Sequence, residues 1–281
     1  MGRITRRWPV YRYRDGRLSR RTDVLAVEEP LEIRLDGEPL TVTMRTPGSD
    51  VELAAGFLFS EGIISEAEDV HTAIHCGGPG TGGQENTYNV LDIALAPAPA
   101  VAFKSQQTPH SRNFHMTSAC GVCGKSSIES LRTKTRFDLR TDPVTLPIET
   151  LLQLPDALRA GQEVFDKTGG LHAAGLFTAA GEPLVIREDI GRHNAVDKVV
   201  GWALLNGHMP LRGAVLQVSS RASFEIVQKA AMAAIPIVGA VSAASSLAVE
   251  LAGDLGLTLA GFMRSSRLNI YTHRDRIEVE E

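Results

Sequence analysis

Three short apolar runs constrain this chain most. Residues 214–218, 235–241 and 257–262 are each five to seven residues long and rich in Val, Ile, Leu and Ala. Between them lie stretches with helical spacing. In residues 222–234, Phe224, Val227 and Ala231 share one face. Short apolar runs alternating with helices predict strands buried on both sides, crossed over by helices. Adding residues 173–177 and 184–187, paired around Gly181, and helices over 195–205 and 247–251 gives an α/β layer. Its sheet is expected to be mixed but largely parallel. Residues 268–271 are expected to form a last edge strand.

The first half reads differently. Residues 31–35 and 40–44 alternate with period two around Asp36-Gly37, a hairpin turn signal. Ser49 or Asp50 is placed to cap a helix through Leu53, Phe57 and Leu58. A glycine-rich loop over 77–83 precedes a strand near 88–93. Pro143 and Pro147 mark a boundary, followed by an amphipathic helix through Leu151, Leu154 and Leu158. The expected division is a smaller α+β domain over 1–145 and an α/β domain over 146–281.

Composition excludes some classes. The chain has 281 residues, 43% hydrophobic and 22% charged, with a formal charge of −4. That balance offers no general attraction for nucleic acid. Three cysteines are too few for a secreted disulfide scaffold, so a cytoplasmic setting is expected. The longest apolar stretch, 230–249, is mostly alanine and interrupted by Pro236 and several serines, so no membrane span is expected. Eight arginines crowd the first 21 residues, with no apolar segment behind them. This reads as a solvated, frayed arm rather than an export leader, with a basic clamp for an acidic partner as the alternative.

The chemistry centres on Cys120-Gly121-Val122-Cys123. Two thiols at this spacing can act as a dithiol, hold a metal or carry a sulfur atom. Structural zinc needs four ligands, and the chain has one such pair. The others would have to come from His75, Cys76, His110 or His115. A deaminase-type zinc site wants His-x-Glu and Pro-Cys-x-x-Cys, and Ala119 precedes Cys120. Gly124-Lys125-Ser126 resembles the end of a P-loop, but Ala119 stands where its first glycine belongs. Thiol chemistry remains. An ordinary cysteine is only about 3% thiolate at neutral pH, and a helix starting near Cys123, with Lys125, favours the anion.

Four segments occur in order: Ser118-Ala119-Cys120-Gly121-Val122-Cys123-Gly124, Gly169-Gly170-Leu171-His172-Ala173-Ala174-Gly175-Leu176, the run from Arg187 to Lys198, and Ser219-Ser220-Arg221-Ala222-Ser223-Phe224-Glu225. Together they closely resemble the formate dehydrogenase accessory sulfurtransferases, the FdhD family, from about Thr22 to His273. The resemblance implies a sulfur carrier that takes sulfur from a cysteine desulfurase. It passes that sulfur to the molybdenum cofactor, bis-molybdopterin guanine dinucleotide, before the cofactor enters formate dehydrogenase. It implies Cys120 as the persulfide carrier; Cys123, separated from it by two residues, is read as its helper, able to resolve that persulfide or to accept its sulfur. The cofactor segment falls on Phe262, Met263, Arg264, Ser265, Ser266 and Arg267. It further implies a cytidine-deaminase-like C-terminal domain without a tightly held metal, and a homodimer. A cofactor-binding chaperone without sulfur chemistry and a zinc-stabilised adaptor are the alternatives.

Other residues are read from their setting. Arg264 and Arg267 follow a buried strand, where open α/β sheets bind ligands, and guanidinium forks suit phosphate. The run Glu188-Asp189-Ile190-Gly191-Arg192-His193-Asn194 can hold an anion at a helix start, or Asp189 can cap the helix. Ser219 and Ser220 are a phosphate cradle or simple caps. His172 reads as a satisfied core histidine. Cys76 has no assigned role.

Overall fold

The computed structural model describes residues 4–76, 87–97, 99 and 135–279. The arginine-rich start is not a frayed arm. It forms a hairpin of β1 (Thr5–Arg14) and β2 (Arg17–Ala26), paired antiparallel along its whole length. Asp15 and Gly16 both take positive φ at its turn, at 51° and 76°. Asp-Gly here is the same turn signal as Asp36-Gly37, hidden by strands that carry arginines where apolar residues would normally alternate.

β3 (Glu29–Leu35) and β4 (Glu38–Arg45) form the expected hairpin. With β5 (Val70–His75) and β6 (Val90–Leu95) they make a four-stranded sheet ordered β4-β3-β6-β5. Strand β5 was not foreseen, because its exposed side carries His71 and Ile74 rather than a clean alternation. Leu31, Ile33, Leu35, Leu91 and Ile93 line the buried face. Helix α1 (Asp50–Ser60) starts after Ser49, whose side chain makes no capping bond. Asp50 does not cap either; its carboxylate receives the Arg45 guanidinium at 3.1 and 3.2 Å.

The second half opens with β7 (Leu146–Pro147), α2 (Ile148–Ala160) and the short α3 (Glu163–Thr168). The central sheet then has the order β13-β12-β11-β10-β8-β9. Its strands are β8 (His172–Phe177), β9 (Pro183–Asp189), β10 (Val215–Val218), β11 (Ile237–Ala240), β12 (Thr258–Arg264) and β13 (Arg267–Thr272). Only β10–β11 and β11–β12 pair in parallel. The other three pairings are antiparallel, so the sheet is mixed and not largely parallel. The reason is local: β8–β9 and β12–β13 are joined by tight turns, which reverse the chain. The strand β14 (Ile277–Glu278) returns the chain to β7.

Helices α4 (Arg192–Leu205), α5 (Phe224–Met232) and α6 (Ser246–Leu255) link the later strands. Strand residues alternate between two cores. Leu176, Leu216, Val238 and Leu259 belong to the core shared with α4, α5 and α6. Phe177, Val215, Ile237 and Ala260 pack with Leu151, Leu154 and Leu158 of α2. The larger core is continuous with Leu31, Leu53 and Leu91 from the first half.

The two halves meet where α1 crosses α4 at glycine. A Cβ on Gly56 would lie 1.9 Å from the Asp197 carbonyl oxygen, and one on Gly201 would lie 1.8 Å from that of Glu52. Backbone contact this close requires that neither residue carry a side chain. Buried polar groups complete the junction. Asp189, fully buried, binds Lys198 at 2.7 Å, Asn194 at 3.0 Å and the Thr46 amide at 3.2 Å. Asn194 also donates to the Met44 carbonyl, and Lys198 to that of Thr46. A buried ammonium and carboxylate are tolerated here because each has several partners. No helix among the described residues is long and apolar enough to cross a membrane.

Candidate functional site

The C-terminal ends of β10, β11 and β12 open into a cavity of about 590 Å³. In open α/β sheets this edge is the ligand-binding side, because the helices begin there and leave a crevice. One wall comes from Leu158, Arg159 and Phe165, the opposite one from Met263, Arg264 and Ser265. Arg159 stacks over the Phe165 ring at 4.7 Å and forms an ion pair with Asp166. Gly169 and Gly170 form the approach to His172 at the start of β8. The contribution of α2 and α3 was not legible in the sequence, where that helix reads as packing alone.

Three of the six residues expected to hold a cofactor line this cavity: Met263, Arg264 and Ser265. The local cause is a shift of register between Gly261 and Arg264 in the β12–β13 pairing. Phe262 takes φ of 53°, a left-handed conformation that a bulky residue adopts only under constraint. Its ring faces solvent while Met263 is fully buried. Arg264 follows, and its Nη1 donates to the carbonyls of Val241 at 2.6 Å and Met263 at 2.7 Å. Its fork is thereby anchored at the cavity edge. Ser266 and Arg267 are exposed at the β12–β13 turn and do not line the cavity. Cys120 and Cys123 lie outside the described residues.

The Glu188–Asn194 run divides in two. Asp189, Asn194 and Lys198 tie the halves together, as above. Asp189 bonds the Gly191 amide at 2.8 Å, but the helix cap is Gly191 itself. Arg192 and His193 turn the other way, toward the first turn of α5. His193 Nε2 is 3.0 Å from Ser223 Oγ and 3.6 Å from Glu225. Burial, then the Arg192 charge, lowers the His193 pKa to about 4, so the ring is neutral at physiological pH. His172 is shifted down by the same two causes in the same order. It is half-buried on the cavity wall rather than a core residue.

Ser219 and Ser220 do not cap a helix. Ser219 Oγ accepts from the Ala173 amide at 2.9 Å, which ties the end of β10 to β8. Ser220 Oγ donates to the Arg221 carbonyl. Between α4 and α5, Lys229 and Asp197 form a buried ion pair at 2.7 Å. Burial raises the Asp197 pKa to about 6, and Lys229 opposes the rise.

A second cavity, of about 390 Å³, lies beside Arg45, Asp50 and His75. His75 Nε2 is 3.6 Å from Asp50, and Cys76 follows as a half-buried free thiol. Among the described residues no cluster of three or more His, Cys, Asp or Glu side chains could hold a metal ion.

The model of the FdhD/NarQ family matches residues 26–278. The sulfur carrier protein FdhD of Streptomyces coelicolor is 54% identical over 278 residues, covering 99% of this chain and 97% of that protein. The Nocardia farcinica protein of the same name is 56% identical over 98% of this chain and 96% of its own length. That of Mycobacterium tuberculosis is 54% identical over 92% of each. Among solved structures, a putative formate dehydrogenase accessory protein from Desulfotalea psychrophila superimposes with a TM-score of 0.75. It is 24% identical and covers 98% of this chain and 100% of its own, so it speaks to the fold.

Proposed function

Because the chain belongs to the FdhD/NarQ family, we propose that it is a sulfur carrier serving formate dehydrogenase. The observation that carries this reading is 54% identity over 99% of the chain with a named sulfur carrier, together with the Cys-x-x-Cys pair in this sequence. The role needs a nucleophilic thiol and a place for the sulfur acceptor. Cys120 is the carrier. Its thiolate attacks the outer sulfur of a cysteine desulfurase persulfide, forming the Cys120 persulfide and releasing the donor's thiolate. Attack by Cys123 on the Cys120 sulfur then frees the outer sulfur as sulfide and leaves a Cys120–Cys123 disulfide. The outer sulfur gains the two electrons that the dithiol loses, and a cellular thiol resets the pair.

The sulfur acceptor is the molybdenum cofactor, bound as substrate through its guanine nucleotide end. The cavity at the sheet edge suits that end. Arg159 and Arg264 offer guanidinium forks for phosphate, and Phe165 offers apolar surface for a base. Phe262, Ser266 and Arg267 complete the segment on its exposed side. The succession β10–α5–β11–α6–β12 beside the β8–β9 hairpin supports a deaminase-like reading of residues 146–281, with residues 1–145 as the second unit. The protein works in the cytoplasm as a homodimer, with the desulfurase and formate dehydrogenase as its partners.

The test is genetic. In a cell lacking its own copy, the C120A variant is expected to leave formate dehydrogenase inactive, while the wild-type chain restores it. Full restoration by C120A would remove the persulfide step and favour a cofactor chaperone.

A further inference from the structure

Arg192 is the first residue of α4 and is half-buried. Among the described residues its guanidinium makes no hydrogen bond and no ion pair, and its Nε is sealed from solvent without a partner. This is unfavourable in two ways. A guanidinium drawn partly out of water loses hydration that nothing here replaces. A cation at a helix start also opposes the helix dipole, which favours cations at the other end. Arg187, five residues earlier on β9, shows the usual remedy: both carboxylate oxygens of Glu52 hold it, at 2.6 and 2.8 Å.

The acids close to Arg192 do not supply its missing partner. Asp189 is fully buried and engaged by Lys198, Asn194 and the Thr46 and Gly191 amides. Glu225 accepts from Ser223 and from its own amide at the start of α5. The other neighbours are imidazoles. His172 stands opposite Asp189 in the β8–β9 pairing, and His193 follows Arg192 in α4. Burial first, and then the Arg192 charge, lower the pKa of both rings; Asp189 pulls the other way on His172 and Glu225 on His193. Each neutral ring carries one N–H donor. The His193 bond to Ser223, at 3.0 Å, keeps that hydroxyl from capping α5. His172 also lines the 590 Å³ cavity, beside Ile190 and Ser219, so the cluster adjoins the cavity.

We propose that His172, Arg192 and His193 form a binding site for a small anion at the edge of the cavity. Arg192 supplies the charge, and the imidazoles supply neutral N–H donors. The anion takes the place of the carboxylate that Arg192 lacks. The inference rests on the proposed function only for where the anion comes from. One source is the sulfide freed in the hand-over from Cys120; the other is a phosphate of the nucleotide. Both offer a compact negative charge to the same donors.

The test follows the imidazole Cε1–H signals of His172 and His193 by NMR in the full chain at neutral pH and constant ionic strength, assigned with H172Q and H193Q. Sodium hydrosulfide, under argon, and inorganic phosphate are titrated separately, with chloride as the control anion. Saturable shifts of both signals are expected with at least one of the two probes. Binding is expected to weaken about tenfold in R192Q and less in R192K, which keeps the charge but not the fork. R192Q removes an unpaired charge, so its thermal midpoint is expected to match that of the wild type; R192K gives the second reading should R192Q not fold. A hydrosulfide response assigns the site to sulfur in transit, and a phosphate response assigns it to the nucleotide. No shift, or shifts that chloride reproduces or that persist unweakened in both variants, would mean an adventitious ion only and overturn the site. Persulfide loading of wild-type Cys120 is read separately, so the sulfur-carrier reading and the anion site fail independently.

Discussion

His193 shows how one side chain ties the sheet edge to the pH of the medium. Its neutral ring sits against Ser223 and Glu225, with Arg192 close by. Its folded pKa, about 4, lies below the ordinary value of 6.5. As pH falls below 6.5 the unfolded chain takes up a proton that the folded chain refuses until about pH 4. The contribution to stability is therefore complete above pH 6.5 and lost as pH falls toward 4. Asp197 acts with opposite sign. Its folded pKa of about 6 is raised, so the folded state gains from protonation as pH falls through 6. The two cover overlapping windows, so only a variant separates them. Substituting H193Q is expected to reduce the loss of unfolding free energy between pH 7 and pH 4.5 by about 2 kcal/mol relative to wild type. Urea titration at both pH values checks this; parallel losses in the two proteins would contradict it.

Among the elements, the α1–α4 crossing sets how the halves meet. The substitution G201A would drive a methyl into the Glu52 carbonyl and is expected to destabilise by at least about 2 kcal/mol. In α6, by contrast, a methyl on Gly253 finds its nearest atom at 3.7 Å. There G253A is expected to stabilise by up to about 1 kcal/mol through helix propensity. Equal midpoints for the two variants in urea would refute this packing argument. The same elements show what a sequence makes legible. Asp36-Gly37 between alternating strands announces its hairpin, and the runs 214–218, 235–241 and 257–262 announce buried strands. Asp15-Gly16 carries an equal turn signal, but Arg12, Arg14, Arg17, Arg20 and Arg21 mask the strands because neither face is buried against the body. Strand direction is a property of connections, so apolar runs alone could not tell that β8, β9 and β13 run against their neighbours. The site was partly legible for a similar reason. Met263, Arg264 and Ser265 stand at a strand end, a position that sequence order reveals. Arg159 and Phe165 reach the cavity only because α2 and α3 fold back over the sheet, and the Gly56–Gly201 approach depends on a crossing between distant segments.

At the scale of the molecule, the proposed function needs different regions for different tasks. On that proposal the sheet edge would hold the nucleotide end of the substrate and the Cys120 segment would carry sulfur. Arg264 tests the first of these. It is exposed and, among the described residues, bonds only backbone carbonyls at the cavity rim, so R264A should leave the fold intact. Losing a charge-assisted bond to phosphate is expected to weaken GDP binding about tenfold in isothermal titration calorimetry. Unchanged affinity would move the nucleotide out of this cavity. The central claim is that Cys120 accepts and releases a single sulfur atom. Mass spectrometry of the purified chain, after incubation with a cysteine desulfurase and cysteine, reads it directly. The expected result is a gain of about 32 Da on the peptide containing Cys120, removed by a thiol reductant and absent from C120A. A Cys120 peptide of unchanged mass, under conditions that load the desulfurase itself, would contradict it.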